Sequence, residues 1–487
     1  MNKVSARIPL CALGSTICLV YLPSSSAAVR GASAVTAITI SKPSPFRNCP
    51  DGQLRVFVNG EVEPSIALGR AARRIVVVYQ QDRFPDGAAR GIAASFSTTG
   101  GRSWNRSVLP VGLCGHGRDP QPIRTSDPWV SIGADGRVYA LASYAAVSSK
   151  DGGRTWTAPV ALQRPSSTFL LDKGSLTADP ERAGVAYAVW ARFLRPPSGP
   201  PVESEAMLSR TMDGGITWSS PKVILEHGQG AGSISSVILP DPKRGRLYHF
   251  AFWQVGPEPD SAHRSRLVMQ WSADGGVTWT TPKGLASVRT VAGRAKDPST
   301  GRQIRTGYVV PSFAVERSSG ALFAVWQDSR FASDRADQIA LSSSRDGGKT
   351  WTSPVRVSRA GRQAFVPNVA VTPSGTIGIA YYEAPIGRSR QRAPIQYWLA
   401  VSRNGGRTFS RRAIGPPFSL RLAPLIDPVP ELAVPPGLFL GDYMGLDASD
   451  GRFHLAFVTA NGTKANRTDV RYAVVDPARP ARAASLR

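Results

Sequence analysis

Arginines and carboxylates recur at the ends of apolar strands along this 487-residue chain. Arginine binds carboxylate groups through paired hydrogen bonds, and carboxylic acids transfer protons, so together they could bind and process a ligand. The first set precedes predicted strands: Glu63, Asp127, Asp172, Lys173, Asp442 and Tyr443. The second set follows predicted strands: Asp82, Arg83, Arg192, Arg264, Asp328, Arg330 and Glu383, with Trp190, Trp253, Trp326 and Tyr382 at the strand ends. These residues form a site only if the fold gathers both sets on one face.

A repeated octapeptide indicates which elements position them. It occupies residues 97–104, 149–156, 211–218, 272–279, 344–351 and 402–409, with starts 52, 62, 61, 72 and 58 residues apart. A motif at near-constant spacing is typical of a modular array. Its Gly-Gly pair permits the positive φ of a tight turn, and a polar side chain before the glycines can accept N–H groups across that turn. The polar residues are Asp151, Asp213, Asp274, Asp346 and Asn404, with Thr99 in the first copy. We predict a structural role for them, within a repeated strand, hairpin and strand.

The strand pattern predicts seven sheets. Short strands begin near residues 63, 127, 172, 235, 310, 366 and 442, and a more apolar strand follows each one. The seventh unit lacks the octapeptide and supplies three strands, the last at 470–475. The segment at 37–41 can supply its fourth strand. Such pairing would close the array into a ring and remove free sheet edges.

The octapeptides resemble the Asp-box (BNR) repeat of sialidases and related β-propellers. The resemblance implies an all-β, seven-bladed β-propeller with Asp-box hairpins, closed by the N-terminal strand. Six blades, as in typical sialidases, remain the alternative. In that case one of the seven units is not a blade, and the compact second unit is the first candidate.

The resemblance also implies roles for single residues. Sialidases hold the substrate carboxylate with an arginine cluster, for which Arg83, Arg192 and Arg330 are the candidates. Their nucleophile is a tyrosine activated by a glutamate, because a carboxylate nucleophile would repel the anionic sugar. Tyr443 and Glu383 match that pair. The remaining candidates are Asp82 as acid/base, and Asp328 and Trp326 in substrate binding.

The N-terminus reads as a secretory signal. Lys3 and Arg7 precede an apolar stretch at 8–22 and small residues at 24–34. We therefore expect a signal peptide at 1–34, a single propeller domain at 35–487, and an extracellular or periplasmic location. The mature chain would retain Cys49 and Cys114, which in an oxidising compartment are expected to form a disulfide, with two unpaired thiols as the alternative.

The net charge of +25 suits an acidic glycan or glycoconjugate as partner. The chain shows no nucleic-acid module, membrane span, metal-ligand spacing or cofactor motif, so a cofactor-free monomer is expected. Three functions remain open: a sialidase-like glycoside hydrolase acting on terminal acidic sugars, a non-catalytic extracellular binding propeller, and a polysaccharide lyase.

Overall fold

The structure of the chain, a computed structural model, describes residues 34–49, 55–115, 125–195, 203–226, 230–255, 265–291, 295–389, 391–427 and 436–479. The described residues belong to one compact unit. In the described part, the regular structure is β-strand apart from two single-turn 3-10 helices, Arg70–Ala72 and Arg330–Ala332. The all-β prediction is therefore confirmed. The predicted signal peptide lies outside the described residues apart from Ala34.

The strands form successive antiparallel sheets. After β1 (Ile38–Thr39), the first sheet contains β2 to β5: Val62–Leu68, Ile75–Arg83, Ala89–Ser97 and Asn105–Val108. The second contains β6 to β9: Trp129–Ile132, Val138–Ala142, Ala145–Ser149 and Val160–Ala161. The next eight strands form one larger sheet, in which two four-stranded sets are joined by a single parallel bridge from Ser204 to Gly232. Its strands are β10 to β17: Phe169–Ala178, Ala186–Leu194, Glu203–Thr211, Lys222–Leu225, Ala231–Asp241, Arg246–Val255, Arg266–Ser272 and Lys283–Ser287.

Two further four-stranded sheets and a short pair follow. The strands β18 to β21 are Ser312–Val315, Leu322–Asp328, Gln338–Ser344 and Val355–Arg356. The strands β22 to β25 are Arg362–Val371, Ile377–Pro385, Ile395–Ser402 and Ser410–Phe418. The short pair is β26 (Leu425–Ile426) with β27 (Gly437–Leu438).

The last sheet combines both ends of the described chain. It contains β28 to β30, Gly445–Ser449, Arg452–Ala460 and Thr468–Val475, with β1 at its edge. Ile38 pairs with Tyr472, Thr39 pairs with Arg471, and the Ile40 N–H donates to the Val470 carbonyl at 3.0 Å.

Each sheet buries both faces against its neighbours. In β3, Ile75, Val77 and Tyr79 pack into one apolar cluster, while Val76 and Val78 pack into another. A strand with period-two side chains and a continuous β-branched run fits such two-sided burial. The first strands also contact one another in series: β28 contacts β2, and the series continues through β6, β10, β14, β18 and β22 back to β28. The beginnings of these strands therefore converge, and the site residues that precede them meet there.

The octapeptides are tight turns that lead out of the third strand of a sheet. In the copy at 149–156, Gly152 and Gly153 have φ of +78° and +92°. One Asp151 oxygen accepts the Ser149 hydroxyl at 2.8 Å and the N–H groups of residues 154 and 155. The other accepts the Thr155 hydroxyl at 2.6 Å. All the partners of this Asp151 carboxylate therefore lie inside its own octapeptide.

The other copies use the same bonds with small changes. Asp213, Asp274 and Asp346 each accept the N–H and hydroxyl of the Thr four residues later. Asn404 accepts the Thr408 N–H at 3.0 Å but donates to its hydroxyl at 2.8 Å. In the first copy, Thr99 accepts the Ser103 N–H at 2.9 Å.

Candidate functional site

The functional candidates with the most shared contacts form a buried charged group where the first strands begin. We call it the strand-start cluster, and its members are Glu63, Asp127, Asp172, Lys173, Arg305 and Asp442. Two of its backbones are left-handed at a β-bulge: Glu63 in β2 and Lys173 in β10, with φ of +55° and +49°. A bulge changes the direction of a side chain, and left-handed non-glycine residues concentrate at functional sites. The bulges therefore direct charged side chains out of the strand pattern and toward one another.

The Lys173 ammonium lies at the centre of the cluster. Its nitrogen is 2.7 Å from Asp442 Oδ2, 2.9 Å from Asp127 Oδ1 and 3.8 Å from Glu63 Oε1. The lysine side chain is 8% exposed, so solvent screens these contacts little. One cation thus connects carboxylates that lie in or just before the first strands of three different sheets.

Arg305 provides a second cation from a loop. Its Nε and Nη2 donate to Asp442 Oδ1 and Oδ2 at 2.8 and 2.6 Å, a bidentate pair. The loop can approach because Gly307 has φ of +58° and a Cβ there would lie 2.5 Å from the Asp442 carbonyl. Sequence analysis missed Arg305, because it lies in an irregular stretch and its partner is 137 residues away.

Arg83, one of the three arginines predicted for the site, borders the cluster. It is buried, donates to Gln80 Oε1 at 2.9 Å and lies over the Phe439 ring, 4.1 Å from its centroid. Gln80 in turn donates to Glu63. Burial lowers the pKa of Arg83 to about 10, against the opposing effect of Glu63.

The cluster carboxylates have opposite pKa shifts. Burial raises the pKa of Glu63 to about 7, although Lys173 opposes the shift, and burial likewise raises that of Asp172 to about 6. Burial also acts on Asp442, but Arg305 and Lys173 outweigh it and lower the pKa of this carboxyl. Near neutral pH the group therefore contains a partly protonated carboxyl, Glu63, beside a carboxylate that stays ionised, Asp442. Environments that push two carboxyl pKa values apart are how acid and base roles are divided in active sites.

Tyr443 lies beside this cluster but makes a structural bond. Its hydroxyl donates to the Pro128 carbonyl at 2.9 Å, and its ring packs on Trp129 with centroids 5.1 Å apart. Burial, and then the nearby Glu63, raise the pKa of Tyr443 well above its usual range.

Glu383, the predicted partner of Tyr443, is engaged elsewhere. It is fully buried and accepts the Arg359 N–H at 2.9 Å and the Arg359 Nε at 2.7 Å. The two residues predicted as a nucleophile pair thus have separate hydrogen-bond partners.

Asp82 is also fully buried. Its Oδ1 accepts the Asn59 N–H at 2.9 Å, and its Oδ2 accepts the Ser44 hydroxyl at 2.5 Å and Arg90 Nη1 at 3.3 Å. This candidate acid/base therefore links the N-terminal segment to the first sheet.

The other predicted arginines each pair within their own hairpin. Arg192 donates from Nε to Glu205 on the next strand at 2.8 Å. Arg330 donates from Nε to Asp328 at 2.7 Å, and Asp328 also accepts the Trp326 indole N–H at 2.7 Å. The structure gives Arg83, Arg192 and Arg330 three different sets of partners.

The structure contains the predicted bond between Cys49 and Cys114, which are 65 residues apart. Among the described residues, no group of three or more His, Cys, Asp or Glu could hold a metal ion. The same residues include no helix with the length and apolarity that crossing a membrane requires.

Comparison with known proteins gives one curated match and several structural likenesses. No protein-family model matches the chain. A sialidase of Bacteroides fragilis is 29% identical over 164 residues, which cover 30% of this chain and 28% of that relative. An α-L-arabinofuranosidase of Fusarium graminearum, solved with arabinobiose, is 16% identical over 74% of this chain and 94% of its own, with a TM-score of 0.44. A leech intramolecular trans-sialidase is 14% identical over 89% and 70%, with a TM-score of 0.41. The match to the sialidase bears out the predicted resemblance to the sialidase-like superfamily, and the described fold is all-β, built of successive antiparallel sheets.

Proposed function

We propose that the seven four-stranded units form the blades of one closed ring. The series of contacts between first strands, which returns from β22 through β28 to β2, supports this arrangement. So does the pairing of β1 with β30. An experimental structure with six blades, or with β1 unpaired, would contradict it.

We also propose that the chain is a glycoside hydrolase whose reaction takes place at the strand-start cluster. The observation that carries this proposal is the pair of carboxyls with opposite pKa shifts, Glu63 and Asp442, held around one ammonium. Most glycosidases use two carboxyl groups at an oxocarbenium-like transition state, of which one protonates the leaving oxygen and the other attacks the sugar carbon or activates a water molecule. The partly exposed Arg305 marks the side from which a sugar would enter.

The residues divide the work as follows. In its protonated form, Glu63 gives its proton to the glycosidic oxygen as the bond from that oxygen to the sugar carbon breaks. A water molecule then adds to the sugar carbon and returns a proton to Glu63. Asp442, kept ionised by Arg305 and Lys173, stabilises the positive charge that develops on the sugar ring. The alternative assignment keeps the roles that the resemblance implies: Tyr443 as nucleophile with Glu383, Asp82 as acid/base, and Arg83, Arg192 and Arg330 holding an acidic sugar.

The test is turnover of 4-methylumbelliferyl glycosides, both a sialoside and neutral sugars, by the wild type and isosteric variants. We expect Glu63→Gln and Asp442→Asn to lower kcat by about 10²–10⁴-fold, as for loss of an acid or a charge stabiliser. We also expect the alkaline limb of the wild-type pH profile, near pH 7 from the cited pKa, to shift or vanish in Glu63→Gln. Tyr443→Phe should retain activity, since Tyr443 stays protonated.

The outcomes separate the assignments. A collapse in Tyr443→Phe with activity retained in Glu63→Gln would move the chemistry to the tyrosine. Turnover of the sialoside alone would support the acidic-sugar specificity predicted from the sequence. A folded wild type that cleaves none of the substrates would reject the hydrolase proposal.

A specific observation favours a second candidate, a non-catalytic propeller that binds glycans or proteins. The predicted site residues are paired internally, as in Arg192 with Glu205 and Glu383 with Arg359, and the centre is filled by Lys173. This candidate predicts glycan binding by calorimetry without turnover, and with no change in Glu63→Gln.

We propose that the protein is secreted. The disulfide supports this location, because such bonds persist in oxidising compartments. The proposal predicts that the exported protein begins after the signal peptide at 1–34, which N-terminal sequencing of the exported protein would show.

A further inference from the structure

Two positions of every octapeptide point to solvent, and their residue types divide the six copies into two kinds. They are the second and sixth residues, and each of these side chains is exposed. In the first, second, fifth and sixth copies they are Thr98 and Arg102, Lys150 and Arg154, Arg345 and Lys349, and Arg403 and Arg407. In the third and fourth copies they are Met212 and Ile216, and Ala273 and Val277. The two apolar copies are consecutive, with a fully basic copy on either side.

The apolar side chains are unusually open to solvent. Met212 and Ile216 are 65% and 66% exposed and Val277 is 44% exposed. These are three of the seven large apolar side chains that are exposed in the described part of the chain. The turn itself requires only its hydroxyl, acid, glycine and aromatic positions, so the apolar choice at the second and sixth positions contributes nothing visible to folding.

The third and fourth turns lie side by side. Arg210, which precedes the third turn, donates from Nη1 to the Gly275 carbonyl in the fourth turn at 2.6 Å. Lys222, which follows the third turn, donates to the Val277 carbonyl at 2.6 Å. We call Met212, Ile216, Ala273 and Val277 the apolar tip patch.

The basic copies continue from the patch in both directions. Arg244 in the fourth sheet unit donates to the Arg345 carbonyl of the fifth turn at 3.4 Å. On the other side, the third turn lies against the second sheet, because a Cβ at Gly214 would be 2.7 Å from the Arg137 side chain. The turn of that second sheet carries Lys150 and Arg154. The acids of these two turns, Asp213 and Asp274, are equal in number to the neighbouring cations Arg210 and Lys222. The tip patch is therefore neutral at its centre and flanked by basic turns.

We propose that the apolar tip patch docks on an anionic lipid surface. A few apolar side chains on protruding turns are too small an area for a stable protein interface, which needs about 1,000 Å². They suit insertion between lipid headgroups, while Lys150, Arg154, Arg345 and Lys349 attract anionic lipids. A second copy of the chain is disfavoured as the occupant, because a net charge of +25 repels itself.

Docking in this way would keep the lipid surface away from the strand-start cluster. Asp172 pairs with Ala191 on the next strand, and Ala191 pairs with Ala206 on the strand after that. Ala206 lies five residues before Thr211, where the third turn begins. At the rise of a β-strand the cluster stands roughly 17 Å from the tips. The inference does not depend on the proposed function.

The experiment is co-sedimentation of the full protein with vesicles of phosphatidylcholine and phosphatidylglycerol in equal parts, and with phosphatidylcholine alone. We expect binding to the anionic vesicles only, and weaker binding as salt is raised. The double variant Met212→Ser with Ile216→Ser should lower the partition coefficient by about tenfold or more, from lost apolar insertion. Arg345→Ser with Lys349→Ser should lower it by about fivefold per charge.

Val355→Ser is the matched control, because Val355 is 40% exposed but lies outside the patch. It should bind as the wild type does. A further variant, Met212→Lys with Ile216→Lys, adds charge while removing apolar area, and reduced binding by it supports insertion. Unchanged binding by the serine double variant overturns the proposal, as does a wild type that binds no vesicle. A concentration-dependent dimer in sedimentation velocity that the same serine variant abolishes would also overturn it, in favour of self-association.

Discussion

The strand-start cluster and the octapeptide turns use the same residue type in opposite ways. In the turn at 211–218, the Thr217 hydroxyl and N–H lower the pKa of Asp213 to about 2, and the carboxylate remains in contact with water. In the cluster, burial raises the pKa of Glu63 to about 7. The turns stabilise a charge with local dipoles, whereas the cluster removes charges from water and compensates them mainly through partners distant in sequence. A carboxylate therefore has no fixed role in this chain: its burial and the charges beside it decide whether it stays ionised.

The largest test of this difference is Lys173→Met. The substitution leaves Asp127 and Asp442 buried without their shared ammonium, and breaking a buried ion pair by removing one partner costs about 3–5 kcal/mol. We expect a loss of that size in the free energy of unfolding, measured by urea denaturation with tryptophan fluorescence. Lys150→Met, on an exposed turn, is the matched control and should change stability by less than about 0.5 kcal/mol.

Two outcomes decide this prediction. Partial recovery in the double variant Lys173→Met with Asp127→Asn would confirm that the penalty is an uncompensated charge. Equal stability of Lys173→Met and Lys150→Met would show that the cluster charges do not depend on the lysine.

The second test uses pH, because the two regions should respond with opposite slopes. Asp213 has its pKa lowered in the fold, so its stabilisation is present above about pH 4 and is lost as the pH falls through about 2. Glu63 has its pKa raised, so the folded state binds the proton more tightly and stability falls as the pH rises from about 4.5 to about 7. Glu63→Gln should remove part of that fall, by about 3 kcal/mol, while Asp172 continues to contribute in the same direction.

The measurement is the free energy of unfolding at several pH values for the wild type and Glu63→Gln. Parallel curves for the two proteins would contradict the buried protonated state of Glu63. Asp213→Asn serves as the counterpart, and it should flatten only the acid end of the curve.

The smallest effects are expected in the turns. Asp151→Ala removes hydrogen bonds from within one octapeptide and should cost about 1 kcal/mol, similar to the loss of a helix cap. Asn404→Asp converts the sixth turn to the form that the Asp-containing copies have. It should change stability by a few tenths of a kcal/mol, because the Thr408 hydroxyl, which now accepts a hydrogen bond from Asn404, can donate one to the new carboxylate. Thermal unfolding of both variants checks this, and a loss above about 3 kcal/mol for Asp151→Ala would show that the turns contribute far more than local bonds.

The same contrast explains what could be predicted from the sequence. Asp151 and Thr155 are bonded to each other and lie four residues apart, so the sequence of the octapeptide is enough to predict that turn. The strands follow from short apolar, β-branched runs such as the one at 75–83. Pairing of β1 with β30 was also accessible, since a three-stranded last unit needs a partner.

The site was less predictable because its contacts join separate sheets. The first set of residues was found, but the bond from Arg305 to Asp442 spans 137 residues and leaves no sequence signal. Two of the predicted arginines were assigned to a ligand although each has a carboxylate partner nearby in its own hairpin. Arg330 pairs with Asp328 two residues away, and Arg192 pairs across its hairpin with Glu205, so strand-end arginines need not point to a shared ligand.

The pairing of β1 with β30 also constrains how the chain can fold. Ile38 is among the first described residues to be synthesised, and its partner Tyr472 is among the last. Contacts of such sequence separation form slowly, and an incomplete chain exposes unpaired strand edges. Until β30 has been made, β29 lacks a neighbour on one side and β1 has nothing to pair with. A stalled or truncated chain that lacks its final residues is therefore expected to aggregate, even if every other sheet has already formed.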